Sequence, residues 1–118
     1  MKMNYTVLGT NNLEAATKFY DALFAGSDVA QVGKTDRMVY WQVGEAAFAV
    51  ATPFDEQAAT NGNGTMIGFD AGTSDEVDRL HKLVLDLGGS SEGIPSQKGS
   101  RYSGYVRDLD QNKLCFYA

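Results

Sequence analysis

Few side chains in this sequence have types and surroundings suited to chemistry, and they are scattered. His81 and Cys115 are the only histidine and cysteine in 118 residues. A histidine titrates near neutral pH and can serve as a general base. His81 follows Leu80 within a helical pattern, one turn from Val77 and Val84, and is read as a flank residue of that helix. Cys115 lies in an alternating strand pattern, Lys113 to Tyr117. A nucleophilic thiol needs a neighbour that stabilises its thiolate, and no histidine is motif-linked to it. Cys115 is therefore read as a small apolar strand residue. No Ser/His/Asp arrangement is suggested. Gly62-Asn-Gly-Thr65 is too short for a phosphate loop and precedes a strand rather than a helix.

The aromatic set Tyr5, Tyr40, Trp41, Phe48, Tyr102, Tyr105 and Tyr117 is core by default, with at most half expected to line a ligand site. Parity leaves the faces of Tyr40/Trp41 and Tyr102/Tyr105 open. Four of the ten basic residues, Lys98, Arg101, Arg107 and Lys113, fall in the last 21 positions. This excess is read as an ordinary solvated strand face, with an anionic ligand as the alternative. Arg101 and Tyr102 sit in a Gly/Ser-rich approach, Gly99 to Gly104, which either closes over a ligand or is a plain hairpin loop.

The elements that must position these groups follow from the pattern of apolar residues. One domain's worth of chain carries a net charge of −5, which argues against nucleic acid or an anionic membrane as partner. A single cysteine, no signal-peptide pattern and no membrane-length apolar run lead to a cytoplasmic expectation. Tyr5 to Leu8 reads as a strand halted by Gly9. A helix capped by Asn11, with Glu14 three residues on, carries Leu13, Ala16, Tyr20 and Leu23 and ends at Gly26. Strands are expected over Asp28 to Gly33, Arg37 to Val43 and Ala46 to Ala51, with Gly44-Glu45 as a tight turn. The pattern then recurs. Met66 to Phe69 is a strand, Thr73 caps a helix with stripe Val77, Leu80, Val84 and Leu87, and Gly88-Gly89 ends it. A short strand at Ser91 to Ile94, a loop from Pro95 to Ser100, and strands Tyr102 to Arg107 and Lys113 to Tyr117 complete the half. The two helix stripes share spacings of 3, 4 and 3 at a constant offset of 64. The chain thus reads as one domain of two repeats, 1–53 and 65–118, joined by a polar linker over 54–64.

The closing segment, Arg107-Asp-Leu-Asp-Gln-Asn-Lys-Leu-Cys-Phe-Tyr-Ala118, resembles the final hairpin of the vicinal oxygen chelate superfamily, which includes glyoxalases, bleomycin-resistance proteins and extradiol dioxygenases. Leu109 and Gln111 stand where that family's turn commonly has proline and glycine. The opening Leu8 to Tyr20 is similar to the family's Asp-Leu-x-x-Ala-x-x-Phe-Tyr. The resemblance implies an α+β fold of two βαβββ modules in a curved half-barrel mixed sheet, helices outside, enclosing an aromatic-lined cup. It implies a homodimer, small-molecule binding and, in metal-dependent members, histidine or glutamine on the first strand and glutamate on the last strand of each half. Those positions here are Tyr5, Met66 and Cys115, and Ala47 to Ala51 offers no ligand. No metal site and no cofactor are therefore expected. Ligand-binding candidates are Tyr5, Val7, Met66, Arg101, Tyr102, Cys115 and Tyr117; Tyr5 and Cys115 are the catalytic candidates if a reaction occurs. A metal-free small-molecule binder is the leading reading. A glyoxalase I-like lyase or isomerase and an interaction subunit with a filled cup are the alternatives.

Overall fold

The computed structural model describes residues 1–118. The chain divides into two compact units, Met1–Thr60 and Asn61–Ala118, each a βαβββ module, so the class is α+β as expected. The first contains β1 (Tyr5–Gly9), α1 (Leu13–Phe24), β2 (Ala30–Lys34), β3 (Met38–Val43) and β4 (Ala46–Ala51). The second contains β5 (Met66–Asp70), α2 (Ser74–Asp86), β6 (Ser90–Lys98), β7 (Arg101–Arg107) and β8 (Lys113–Tyr117). Each unit has its own open four-stranded mixed sheet, ordered β1-β4-β3-β2 and β5-β8-β7-β6. In each, the first strand runs parallel to the last and the remaining neighbours are antiparallel. No helix is long and apolar enough to cross a membrane.

α1 starts one residue later than the capping pattern suggests. Asn12, not Asn11, accepts from the Ala15 N–H at 3.0 Å. Asn11 is used elsewhere: its amide carbonyl accepts from the Ala59 N–H at 2.7 Å and its NH2 donates to the Ala59 carbonyl at 3.2 Å. This pair of bonds ties the end of unit 1 back to its first helix. α1 presents Ala16, Phe19, Tyr20, Leu23 and Phe24 to the sheet, where Tyr20 lies 4.8 Å from Phe48 and 5.6 Å from Trp41, centroid to centroid. Leu8, Val39 and Val50 complete this core.

In unit 2, Thr73 caps α2 as expected, accepting from the Glu76 N–H at 3.2 Å. The Glu76 carboxylate does not return to the cap; it forms a bidentate pair with Arg79. The buried stripe is Val77, His81 and Val84, packed with Val106, Leu114 and Phe116. Phe116 and Phe69, 6.0 Å apart, are the ring pair of this core, which is otherwise largely aliphatic where that of unit 1 is aromatic.

Two strand boundaries depart from the sequence expectation. β2 is shifted to Ala30–Lys34 and every residue in it is exposed, which explains its faint apolar signal. β6 runs nine residues and takes in Pro95, where a loop was expected. Its register slips between Ser91 and Gly93 and again between Gly93 and Ser96. An edge strand with bulges tolerates a proline because no ladder N–H is needed there.

The β7–β8 turn closes on one carboxylate. Asp108 Oδ1 accepts from the Asp110 and Asn112 N–H groups at 2.8 and 2.9 Å, and Oδ2 accepts from the Asn112 side-chain amide at 3.0 Å. Asp108 and Asn112 are buried, so these bonds replace the water both groups lose. Gln111 sits at φ 68°, a left-handed conformation that favours glycine.

Candidate functional site

Side chains alternate across a strand, so register sorts each sheet into a face under the helix and a far face. In unit 1, Trp41 lies under α1, its indole N–H donating to Asp21 Oδ1 at 2.9 Å, and Tyr40 therefore takes the far face. With it there are Tyr5 and Val7, opposite Ala47 and Ala49. Apart from the two tyrosines this face is built mostly of small and aliphatic groups, with Met38 and Gln42 on β3.

Unit 2 differs. Tyr102 was expected at the ligand site, but its hydroxyl donates to Asp78 of α2 at 2.6 Å, so it lies on the helix side. Holding that bond to a carboxylate raises the phenol's pKa. Alternation then sends Arg101, Ser103, Tyr105 and Arg107 to the far face. The register pairs Ser103 with Tyr117, Tyr105 with Cys115 and Arg107 with Lys113; on β5, Met66 pairs with Lys113. The structure thus brings Met66, Arg101, Cys115 and Tyr117 to one face of unit 2, and Tyr5 and Val7 to one face of unit 1.

The far face of unit 2 is cationic and aromatic together. The Arg101 guanidinium lies over the Tyr117 ring at 4.4 Å. The Lys98 and Lys113 ammoniums lie 5.2 and 5.4 Å from the Tyr105 ring centre. Both contacts are within cation–π range. Cys115 and Ser103 are buried beside them. Burial pushes the Cys115 thiol up; hydrogen bonding from Tyr105 and Ser103 and the fields of Lys98 and Lys113 pull it partly back. The net shift is upward, which favours the protonated thiol at neutral pH. Arg107 is occupied: its Nε donates to Glu92 Oε1 at 2.7 Å and its Nη1 to the Gln111 carbonyl at 3.0 Å. That pairing holds the Glu92 carboxyl below the usual carboxylate range. Lys98 and Lys113 entered the sequence reading only as part of a basic excess, and Tyr105 only as an aromatic of undecided face; Ser103 was not singled out. The signal that could have found them was parity: once Tyr102 faces the helix, the alternate residues of β7 and β8 fall together.

His81 is buried on α2, its Nε2 2.9 Å from Ser91 Oγ. Desolvation lowers its pKa against the opposing field of Asp78. It is a core group of the helix–sheet contact, away from the far face. Unit 1 also has a polar groove of about 490 Å³ bordered by α1, β2 and Thr35–Asp36, and another of about 460 Å³ around Arg37, Thr52 and Glu56. Neither contains a sequence candidate.

The residues at the first- and last-strand positions were tested against a divalent metal. Tyr5 and Met66 offer a phenol and a thioether, Cys115 is a protonated thiol flanked by two ammoniums, and the last strand of unit 1 contains Ala-Phe-Ala-Val-Ala. Within each unit, no three His, Cys, Asp or Glu side chains gather in a way that could hold a metal. A hard or borderline ion wants imidazole nitrogens and carboxylate oxygens, and neighbouring ammoniums repel it. The donor set does not fit.

The model of the Glyoxalase/Bleomycin resistance protein/Dioxygenase superfamily matches residues 2–116. Among solved structures, a glyoxalase/bleomycin resistance protein from Albidiferax ferrireducens is 31% identical, with a TM-score of 0.91 over 98% of this chain and 96% of that one. A hypothetical protein from S. aureus is 25% identical, TM-score 0.81, over 100% and 93% of the two chains. A lactoylglutathione lyase from Agrobacterium tumefaciens, 22% identical with TM-score 0.74 over 98% and 92%, shares the fold. No curated protein matches. A match spanning nearly the whole chain, together with two βαβββ units, places this protein in the glyoxalase/bleomycin resistance/dioxygenase superfamily.

Proposed function

We propose that this member of the superfamily binds a small organic molecule and works without a resident metal. The observation that carries the reading is the far face of unit 2. There, Tyr105 and Tyr117 lie beside Lys98, Arg101 and Lys113 over a protonated thiol, while the family's usual ligand positions hold Tyr5, Met66 and Cys115. Aromatic surface with a few polar groups is the usual composition of a small-molecule site. A buried thiol with a raised pKa is poorly suited to nucleophilic catalysis, which favours binding over turnover. The working form is a homodimer, as is common in this family; micromolar light scattering that returns the protomer mass would remove that part.

The test is a thermal-stability screen of purified protein against metabolites and antibiotics, with elemental analysis of the same preparation. A true ligand at about one hundred times its Kd adds about 2.7 kcal/mol of stability, without product formation. Turnover of methylglyoxal hemithioacetal, or a stoichiometric transition metal that survives dialysis, would overturn the reading in favour of a lyase.

A further inference from the structure

We infer that the far face of unit 2 holds the oxyanionic group, carboxylate or phosphate, of a small organic molecule, through Lys98, Arg101 and Lys113. This rests on the binding reading above and specifies its ligand class. The chain carries a net charge of −5, yet none of these three cations forms a salt bridge. The Lys98 ammonium donates to a neutral partner, Ser96 Oγ, at 2.8 Å, and two acids of this sheet have partners of their own. Glu92 is held by Arg107, and Asp70 turns its Oδ1 to the Gly72 N–H at 2.9 Å.

Two of the three meet at Tyr105, and Arg101 lies at the neighbouring ring, Tyr117. Lys98 pairs with Arg101 across β6 and β7, and Lys113 lies on β8 beside Arg107. The two ammoniums approach the same ring, Tyr105, from different strands, and Arg101 stacks on Tyr117. Stacking fixes the guanidinium plane and leaves N–H groups at its edge for a bidentate acceptor. Two ammoniums near one ring repel each other, and an arriving anion adds to the relief that the Glu92 carboxylate gives Lys113. The Ser103 and Tyr105 hydroxyls hydrogen-bond the Cys115 sulfur on the same face, and the protonated thiol contributes no competing negative charge.

The test is an amide-resolved NMR titration of the full chain at low salt with benzoate, phenyl phosphate and neutral benzyl alcohol. Saturable shifts at Ser103, Tyr105 and Cys115 with either anion are expected, the stronger of the two naming the oxyanion. Benzyl alcohol is expected to bind about ten-fold more weakly. The double substitution Lys98→Gln/Lys113→Gln should weaken the anion about ten-fold and leave benzyl alcohol unchanged. Its spectrum away from this face reports whether the fold is kept, and the single Lys98→Gln and Lys113→Gln variants serve if it is not. Benzyl alcohol binding this face as tightly as the anions would overturn the charge assignment while sparing the small-molecule reading. An unchanged anion Kd in the substituted proteins, or no saturable response to either anion, would overturn it too; the stability screen then decides the broader reading separately.

Discussion

The two units share a plan of strand order and crossover, and they differ in how many rings pack under the helix and in what surrounds the two tyrosines that each leaves on its far face. Unit 1 places Phe19, Tyr20, Phe24, Trp41 and Phe48 under its helix, with mostly alanine and valine beside Tyr5 and Tyr40 on its far face. Unit 2 packs its helix largely with Val77, Val84, Val106 and Leu114 and sends Tyr105 and Tyr117 to the far side with the cations. A duplicated backbone thus allows one copy to gather more rings in its core while the other sets cations beside the tyrosines of its far face. The parity of each strand decides which.

Trp41→Ala should be the most damaging single change. Trp41 is 1% exposed and touches three rings, so a loss of about 3–5 kcal/mol is expected. Val106→Ala in unit 2 should lose about 2 kcal/mol. Urea midpoints followed by circular dichroism measure both, and equal losses would mean that the aromatic core is no special anchor.

Next comes Gly89→Ala, at the end of α2. A Cβ there would stand 2.5 Å from the Arg107 carbonyl and 2.5 Å from Val84 Cγ1. The helix or β7 must shift, for about 3 kcal/mol. A loss within experimental error would show that unit 2 closes more loosely than drawn here.

The turns joining the last two strands of each unit offer a subtler contrast. Gly44 in unit 1 has φ 58° and Gln111 in unit 2 has φ 68°. Gly44→Ala should cost about 1 kcal/mol, whereas Gln111→Gly should gain about 0.5 kcal/mol. The same sign for both would break the parallel between the turns.

The smallest effect is confined to acid, and to unit 2, which holds the only histidine. Burial lowers the His81 pKa below its ordinary value, with Asp78 opposing. A depressed folded-state pKa means that the contribution to stability is present above about pH 6.5 and is lost as pH falls below it. His81→Gln should therefore lose less stability than the parent between about pH 7.5 and about pH 5.5. Identical pH profiles would show that burial does not disfavour the imidazolium.

Much of the architecture was legible because helix stripes and caps are local signals. The α2 cap at Thr73 and the bounds of β4 and β8 followed from spacing alone. What escaped depended on partners distant in sequence. Asn11 and Asn12 are equivalent as caps until Ala59 takes one of them. Pro95 reads as a loop until β6 is known to be an edge. Tyr102 and Tyr105 are undecided until Asp78, 24 residues away, draws one ring to the helix. The ligand-facing chemistry was hardest to read for the same reason: its cations come from three strands, and only register brings them together.

The bonds between Asn11 and Ala59, with the 3.0 Å approach that a Cβ on Gly9 would make to Ala59, act as a buckle fastened within the first sixty residues. Neither ladder borrows a strand from beyond the boundary at Thr60 and Asn61. A protease that cut there would sever a connection and leave every rung of both sheets in place.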